Sequence, residues 1–246
     1  MSVKPYDTPC SKKEQVQTMF DSIAPHYDLL NHVLSFRIDR LWRRRVVDEA
    51  ARCRPQRVLD LATGTGDLAI AAARRMPGVR VVGIDLSENM LAQAQRKAAA
   101  RGLAERIEFR RGDAECLDLP DASVDAATVA FGVRNFGDLD AGLRELARTV
   151  KPGGRVIILE FSRPRNRWFR ALYEWYAFRV LPLIGGAVSR DRRAYAYLPA
   201  SVGEFPAPEA FMERMAQAGF GECRARSQSF GIAQIYTGVK NEAKRS

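Results

Sequence analysis

The sequence predicts a doubly wound α/β domain: a mostly parallel sheet, helices on both faces, and an antiparallel hairpin at the end. Three observations predict it. Short apolar runs alternate with Ala-rich helical stretches from residue 57 to residue 161, the pattern of successive βαβ units. A glycine-bearing turn joins the first apolar run to the first helical stretch, at the end of the sheet where such folds bind ligands. Two last strand-like runs, near Glu222–Gln228 and Ile232–Lys240, are separated only by Ser229, Phe230 and Gly231. That link is too short for a parallel crossover.

The elements follow in order. Residues 1–15 are polar and read as a flexible tail without the apolar core of a signal peptide. Residues 16–56 read as helical, with Pro25 expected to break them into pieces. Strands are expected at Arg57–Ala62, Val79–Ile84, Ile107–Phe109, Val124–Ala130 and Arg155–Phe161. Helices are expected at Asp67–Arg75, Met90–Arg101 and Leu139–Val150, the last closed by Lys151-Pro-Gly-Gly154. Val156–Leu159 is apolar throughout, as a strand buried on both faces requires. Residues 162–205 break the alternation and read as a helical insert rich in aromatics: Trp168, Phe169, Tyr173, Trp175, Tyr176 and Phe178. A final helix follows Pro208 and ends near Gly219, and residues 241–246 read as a C-terminal tail. The expected unit is therefore one domain over 16–240.

Bulk properties narrow the function. With 246 residues the chain can bury one full core. No run of about 18 apolar residues exists, so no membrane-spanning helix is expected. Cys10, Cys53, Cys116 and Cys223 are scattered, and the two histidines, His26 and His32, are not near them. Neither a zinc site nor a disulfide framework fits that spacing, and no metal is expected. The net charge of +10 suits an anionic ligand, a lipid surface or nucleic acid without choosing among them.

Asp60-Leu-Ala-Thr-Gly-Thr-Gly-Asp67 follows the first strand. Gly64 and Gly66 allow a tight turn and a close ligand approach. The same residues fit the dinucleotide pattern G-x-G-x-x-A, so the turn alone does not separate a nicotinamide cofactor from S-adenosylmethionine. Asp85 ends the second strand, about 20 residues on, where a carboxylate accepts hydrogen bonds from ribose hydroxyls. Ser87 is the better N-cap for the helix that follows. Asp113 ends the third strand, where it is a candidate acceptor for an adenine amine, with the amide of Ala114 beside it. Such a third acidic contact and the closing hairpin are typical of S-adenosylmethionine-dependent methyltransferases and not of dehydrogenases. Asp67 is a weaker candidate, facing the methionine ammonium or capping its own helix.

Several blocks then resemble the ubiquinone/menaquinone biosynthesis C-methyltransferases, over about Val16 to Lys240. They are Met19-Phe-Asp-Ser-Ile-Ala-Pro-His-Tyr-Asp-Leu-Leu-Asn31, Val58 to Asp67, Phe131-Gly-Val-Arg-Asn-Phe136, Leu159-Glu-Phe-Ser162, Val180-Leu-Pro-Leu-Ile-Gly185 and Tyr195–Leu198 with Ser201. The Tyr-Asp and Val-Arg-Asn blocks are the most specific. The resemblance implies a Rossmann-like class I S-adenosylmethionine-dependent methyltransferase fold with seven strands. It also implies cofactor contacts at Thr65, Asp85, Asp113 and Ala114. The family often has Asn where Asp113 stands and Ser where Ala130 stands, so Ala130 is expected only as a pocket wall.

The implied reaction is methyl transfer to a ring carbon of a polyprenyl quinol. The carbon is nucleophilic once the adjacent phenol ionises, and a phenol near pKa 10 needs nearby positive charge to do so at pH 7. Arg134 is the candidate for that charge, Asn135 for orienting a quinol oxygen or a water, and Tyr27 for covering the methionine end of the cofactor or touching the quinol. Their alternative roles are a surface salt bridge, a turn residue and a packed aromatic. His26 is expected at the surface. The aromatic insert reads either as a lid for an apolar substrate or as core packing. Arg40, Arg43, Arg44 and Arg45, with Arg163, Arg165, Arg167 and Arg170, are expected either to meet anionic headgroups or to form a solvated basic face. The expected setting is cytoplasmic, at the inner face of a membrane, with a homodimer as a further candidate.

Three other classes remain, the weakest a non-enzymatic nucleotide-binding or assembly protein, against which the complete glycine loop and the Arg-Asn block argue. A nicotinamide-dependent oxidoreductase explains the glycines and Asp85 but leaves Asp113 and the hairpin without a role. A nucleic-acid methyltransferase fits the charge, but enzymes that methylate amino groups usually carry [DN]-P-P-[YFW] after the fourth strand, where this chain has Ala130-Phe-Gly-Val-Arg-Asn135. Within the quinol reading, the fused-ring demethylmenaquinol is favoured by the Phe131–Phe136 and Ser229–Gly238 blocks, with the methoxybenzoquinol of ubiquinone synthesis as the alternative.

Overall fold

The computed structural model of the chain describes residues 3–35, 37–164, 166–176, 179 and 192–242. Helices α1 (Lys12–Leu34) and α2 (Ile38–Ala51) precede the sheet. The alternating part runs β1 (Arg57–Leu61), α3 (Asp67–Arg75), β2 (Arg80–Asp85), α4 (Glu88–Ala99), β3 (Ile107–Arg111), β4 (Val124–Ala130), α5 (Leu139–Thr149) and β5 (Val150–Phe161). Then come α6 (Arg167–Trp175), α7 (Arg192–Glu204), α8 (Pro208–Gln217), β6 (Phe220–Gln228) and β7 (Ala233–Lys240).

The seven strands lie in the order β3-β2-β1-β4-β5-β7-β6. The first five are parallel, and β7 runs antiparallel between β5 and β6. The chain order reverses between β1 and β4, which opens a crevice at their carboxyl ends. Strand residues alternate between two cores, as the period of two demands. Val58, Val81, Ala126 and Ile157 pack with Trp42, Val46 and Leu68 from α2 and α3. Their neighbours Leu59, Val82, Ala127 and Ile158 pack with Leu143, Leu146, Phe211 and Met215 from α5 and α8.

Pro25 does not break the N-terminal helix, contrary to the sequence expectation; α1 runs through it. A proline removes the N–H that would bond the carbonyl four residues earlier. Here that carbonyl, of Asp21, accepts instead from Nδ2 of Asn89 on α4 at 3.3 Å. Val16, Met19, Ile23 and Ala24 hold the helix against Met90, Ala194 and Tyr197 in a third core. The helix also begins at Lys12, inside the stretch read as tail. Upstream, the side-chain oxygen of Gln15 accepts the amide of Tyr6 at 3.0 Å. β5 likewise starts early, at Val150, through an irregular pairing opposite Val124.

Within the aromatic insert, Arg167–Trp175 and Arg192–Glu204 are helical, whereas 162–164, 166 and 205 are not. Phe178, Val180–Gly185 and Arg165 lie outside the described residues, as do the side chains of His26, Phe169, Tyr173 and Tyr195. α7 turns Ala194 and Tyr197 into the third core, whereas Trp168 and Trp175 of α6 are exposed. Among the described residues no helix is long and apolar enough to cross a membrane.

Candidate active site

The turn after β1 is shaped from below by Asp60. This buried carboxylate accepts the hydroxyls of Thr63 at 2.6 Å and Thr128 at 2.8 Å. Burial pushes its pKa up to about 6, against the pull of those hydrogen bonds. Gly64 and Gly66 both have positive φ, 54° and 78°, and a Cβ at Gly66 would meet Ala94 and the Phe109 ring at 2.9 Å. The turn therefore needs glycine there for backbone angle and for space.

Asp85, at the tip of β2, accepts the amide of Gly64 on Oδ2 at 2.8 Å and the amide of Ser87 on Oδ1 at 2.9 Å. Its pKa is raised by burial, opposed by these backbone donors. Ser87 caps α4 by accepting from the amide of Met90. Asp113 follows β3; its Oδ1 accepts the amide of Glu115, and its Oδ2 is paired with Lys13 at 2.6 Å.

These strand tips line one cleft of about 730 Å³ together with Val16, Phe20 and Tyr27 of α1. Gly64, Asp85, Asp113, Ala114, Asn135 and Tyr27 are brought together there, and Ala130 is part of the wall as expected. Thr65 and Gly66 are not among the lining residues. The Thr65 hydroxyl instead donates to Asp28 at 2.5 Å and accepts from Lys97 at 3.0 Å. Lys97 also pairs with Asp28 and Asp67, so Asp67 is held behind the turn. Thr65 thus ties the turn to α1 and α4 from the far side.

A second cavity of about 640 Å³ adjoins the first. Phe20, Tyr27 and Phe131 line both. Its other walls include Met19, Ile23, Phe161, Ala194, Tyr197 and Leu198, with Arg43, Asp39 and Arg134 as charged members. Phe131 stacks on Phe161 with centroids 4.3 Å apart. Phe131 has φ 61°, a costly conformation for a bulky residue, and Gly132 beyond it passes so close to Ala62 that a Cβ would lie 2.5 Å away.

The short helical turn Val133–Asn135 carries the two residues singled out in the sequence. Arg134 is not in a surface salt bridge. Its side chain and that of Glu160 are 7% and 0% exposed, and Nη1 meets Oε1 at 2.8 Å. Nη1 also donates to the Phe131 carbonyl at 2.5 Å, and Nε reaches the Ser201 hydroxyl at 3.3 Å. Much of its charge is thus balanced inside the protein. Asn135 Oδ1 accepts the Tyr197 hydroxyl at 3.1 Å. Burial pushes the Tyr197 pKa up to about 12, so this phenol stays a donor.

Several functional partners escaped the sequence reading. Lys12 donates to the carbonyls of Arg134 and Phe136 at 3.0 and 3.2 Å, pinning the turn from α1. Lys13, Lys97 and Asp39 are joined to their partners only by folding. Asp28, Glu160 and Tyr197 had a signal, since all three lie inside blocks that carried the resemblance. The expected arginine cluster divides. Arg43 pairs with Asp39 and Arg45 with Gln228, both turned inward, while Arg40 and Arg44 stay exposed.

Comparison with known proteins agrees with this architecture. The model of the ubiE/COQ5 methyltransferase family matches residues 9–240. The chain is 49% identical over 93% of its length to the Ubiquinone/menaquinone biosynthesis C-methyltransferase UbiE of Geobacter sulfurreducens, covering 90% of that protein. It is 52% identical over 89% of its length to the Demethylmenaquinone methyltransferase of Thermus thermophilus, covering 99% of it. Among solved structures, the S-adenosylmethionine-dependent methyltransferase SibL shares the fold with a TM-score of 0.64 at 20% identity, over 85% of this chain and 57% of that longer one.

Proposed function

The chain belongs to the ubiE/COQ5 methyltransferase family, and from that premise we propose how its two cavities divide the reaction. It is an S-adenosylmethionine-dependent C-methyltransferase of menaquinone biosynthesis, converting demethylmenaquinol to menaquinol. The observation that carries the division is the single partition of Phe20, Tyr27 and Phe131 between a cleft at the strand tips and an aromatic chamber.

The cleft's donors and acceptors suit the cofactor. Asp85 receives the ribose hydroxyls, sharing its oxygens with the amides of Gly64 and Ser87. Asp113 and the amide of Ala114 meet the adenine edge, with Lys13 beside them. Gly64 and Gly66 let the backbone approach, and Thr65 positions the turn through Asp28. S-adenosylmethionine, when bound, supplies an electrophilic methyl group on sulfur.

The quinol ring takes the aromatic chamber. Tyr27 borders both spaces, so it guides the acceptor carbon toward the methyl group. Asn135 lines the cofactor cleft and is fixed by Tyr197. Arg134 lies beside it with charge tempered by Glu160, which favours ionisation of a ring hydroxyl without holding the product oxygen as tightly as a lone cation would. Orientation of the two reactants supplies much of the acceleration. The attacked carbon must then lose its proton.

The membrane face is part of the same reading. The Trp42 indole donates to Ser229 at 3.0 Å, which sets α2 against the β6–β7 connection. Exposed Ile38 and Leu41 of α2 and exposed Phe230 flank that junction, and Arg37, Arg40 and Arg44 are exposed on the same stretch. Ser35, Asp39 and Arg43 from this stretch line the chamber. Apolar tips with basic neighbours suit an anionic bilayer, from which a polyprenyl tail need not be fully withdrawn.

A second substrate, the methoxybenzoquinol of ubiquinone synthesis, is favoured by the 49% identity to a relative named for both pathways. Incubation with methyl-labelled S-adenosylmethionine and each reduced quinol tests the assignment. Label in menaquinol is expected, and label in neither product overturns it.

A further inference from the structure

Arg43 differs from Arg134, the other cation of the second cavity, in how its donors are used. Its side chain is only 11% exposed, and it lines the chamber. A guanidinium carries five N–H donors, yet among the described residues Asp39 is its only hydrogen-bonding partner. Arg134 is more fully engaged, by Glu160, the Phe131 carbonyl and Ser201. Buried donors are normally satisfied, so a cation held nearly out of water with most of its donors uncommitted is poised to receive an oxygen from a ligand.

Its place in the chamber says which oxygen. The Arg43 guanidinium carbon lies 5.6 Å from the Phe131 centroid, and that of Arg134 lies 5.5 Å from the Phe161 centroid. Phe131 and Phe161 already stack on each other, with 26° between their planes. The two guanidiniums thus lie against different rings of the stacked pair. A para-quinol presents oxygens on opposite edges of its ring. The oxygen next to the acceptor carbon must lie near the transferred methyl group, hence near Asn135 and Arg134. The other oxygen points away from that pair, and Arg43 is the remaining cation on the chamber wall.

We infer that Arg43 is a second substrate-binding residue, which takes the quinol oxygen para to the one activated at Arg134 and Asn135 and so selects two-oxygen rings over one-oxygen rings. Asp39 and Ser35 position it; Ser35 donates to Asp39 at 2.7 Å. This assignment rests on the reading of the chamber as the quinol site.

The test compares a short-chain reduced naphthoquinol with the analogue that keeps the hydroxyl beside the acceptor carbon and carries hydrogen at the para position. Arg43→Ala leaves Asp39 buried alone and can fail to fold, so the decisive variant is Arg43→Gln with Asp39→Asn, and Arg43→Lys accompanies it. Unchanged cofactor affinity reports an intact fold. In the double variant kcat/KM for the quinol is expected to fall about 10- to 100-fold, the range for a lost hydrogen bond to a charged group. The analogue is expected to react as before, so the preference disappears. The Lys variant, with its charge but not its fork, is expected to lose part of the preference. Equal loss on both rings, or loss on neither, overturns the role of Arg43. Wild-type protein that binds cofactor and methylates neither ring overturns the chamber assignment with it.

Discussion

Tyr197 donates its hydroxyl to Asn135 Oδ1 across 3.1 Å, and this bond crosses from the aromatic chamber to the cofactor cleft. Tyr197 lines only the former and Asn135 only the latter. Tyr197→Phe therefore releases the Asn135 amide at the proposed meeting point of the reactants. Turnover is expected to fall about tenfold, from the loss of one buried hydrogen bond worth about 1 kcal/mol and the looser geometry it permits. Because the Tyr197 pKa stands at about 12, the pH profile of kcat below pH 10 is expected to keep its shape. Steady-state assays across pH check both, and a profile that changes shape counts against a purely orienting role.

The Arg134–Glu160 pair sets a second expectation. Removing one partner of a buried ion pair costs about 3–5 kcal/mol because the other is left charged and unpaired. Glu160→Gln is expected to lower stability by that order in denaturant titrations. Arg134→Met in the same chain is expected to recover much of it while leaving methyl transfer abolished. Recovery of activity along with stability excludes Arg134 from the chemistry.

Asp85 holds the turn and is the proposed ribose ligand. Asp85→Ala removes the acceptor for both Gly64 and Ser87 amides, so it is expected to weaken cofactor binding at least roughly tenfold, given charge-assisted hydrogen bonds of about 1.5–3 kcal/mol each. Isothermal titration measures it, and an unchanged Kd rules out the ribose assignment.

The Asp60 carboxyl gives a pH signature. Its folded pKa, about 6, lies above the ordinary 3.8. The folded state therefore holds the proton more tightly than the unfolded chain, and stability falls as pH rises between those values. That loss amounts to up to about 3 kcal/mol. Asp60→Asn removes the titration, so relative to wild type the variant is expected to gain stability steadily from about pH 4 to about pH 6. Chemical denaturation at several pH values reads the slope, and parallel curves contradict the buried charge.

The sheet was legible because its signals are local. Val58 and Leu59, or Ile157 and Ile158, announce a strand buried on two sides, and the three residues at 229–231 force an antiparallel return. Pro25 misled for a matching reason: its local cost is plain in the sequence, whereas the compensating bond from Asn89 comes from 64 positions away. The same holds in the site. Gly64, Asp85, Asp113 and Asn135 sit at strand tips, where spacing predicts function. Lys13 against Asp113, Lys97 against Asp28, and Glu160 against Arg134 meet only through tertiary packing. The Thr65 hydroxyl turns to Asp28 of α1 and Lys97 of α4. No one-dimensional pattern records that choice.

The common wall of Phe20, Tyr27 and Phe131 carries one more consequence. With the proposed guest on each side, a boundary that adjusts to one alters what it offers the other. By thermodynamic reciprocity, whatever factor the sulfonium compound imposes on the grip for the lipid, the lipid must return in equal measure. Occupancy of either compartment thereby becomes a report on its neighbour, and two equilibria that look independent on paper are one coupled system.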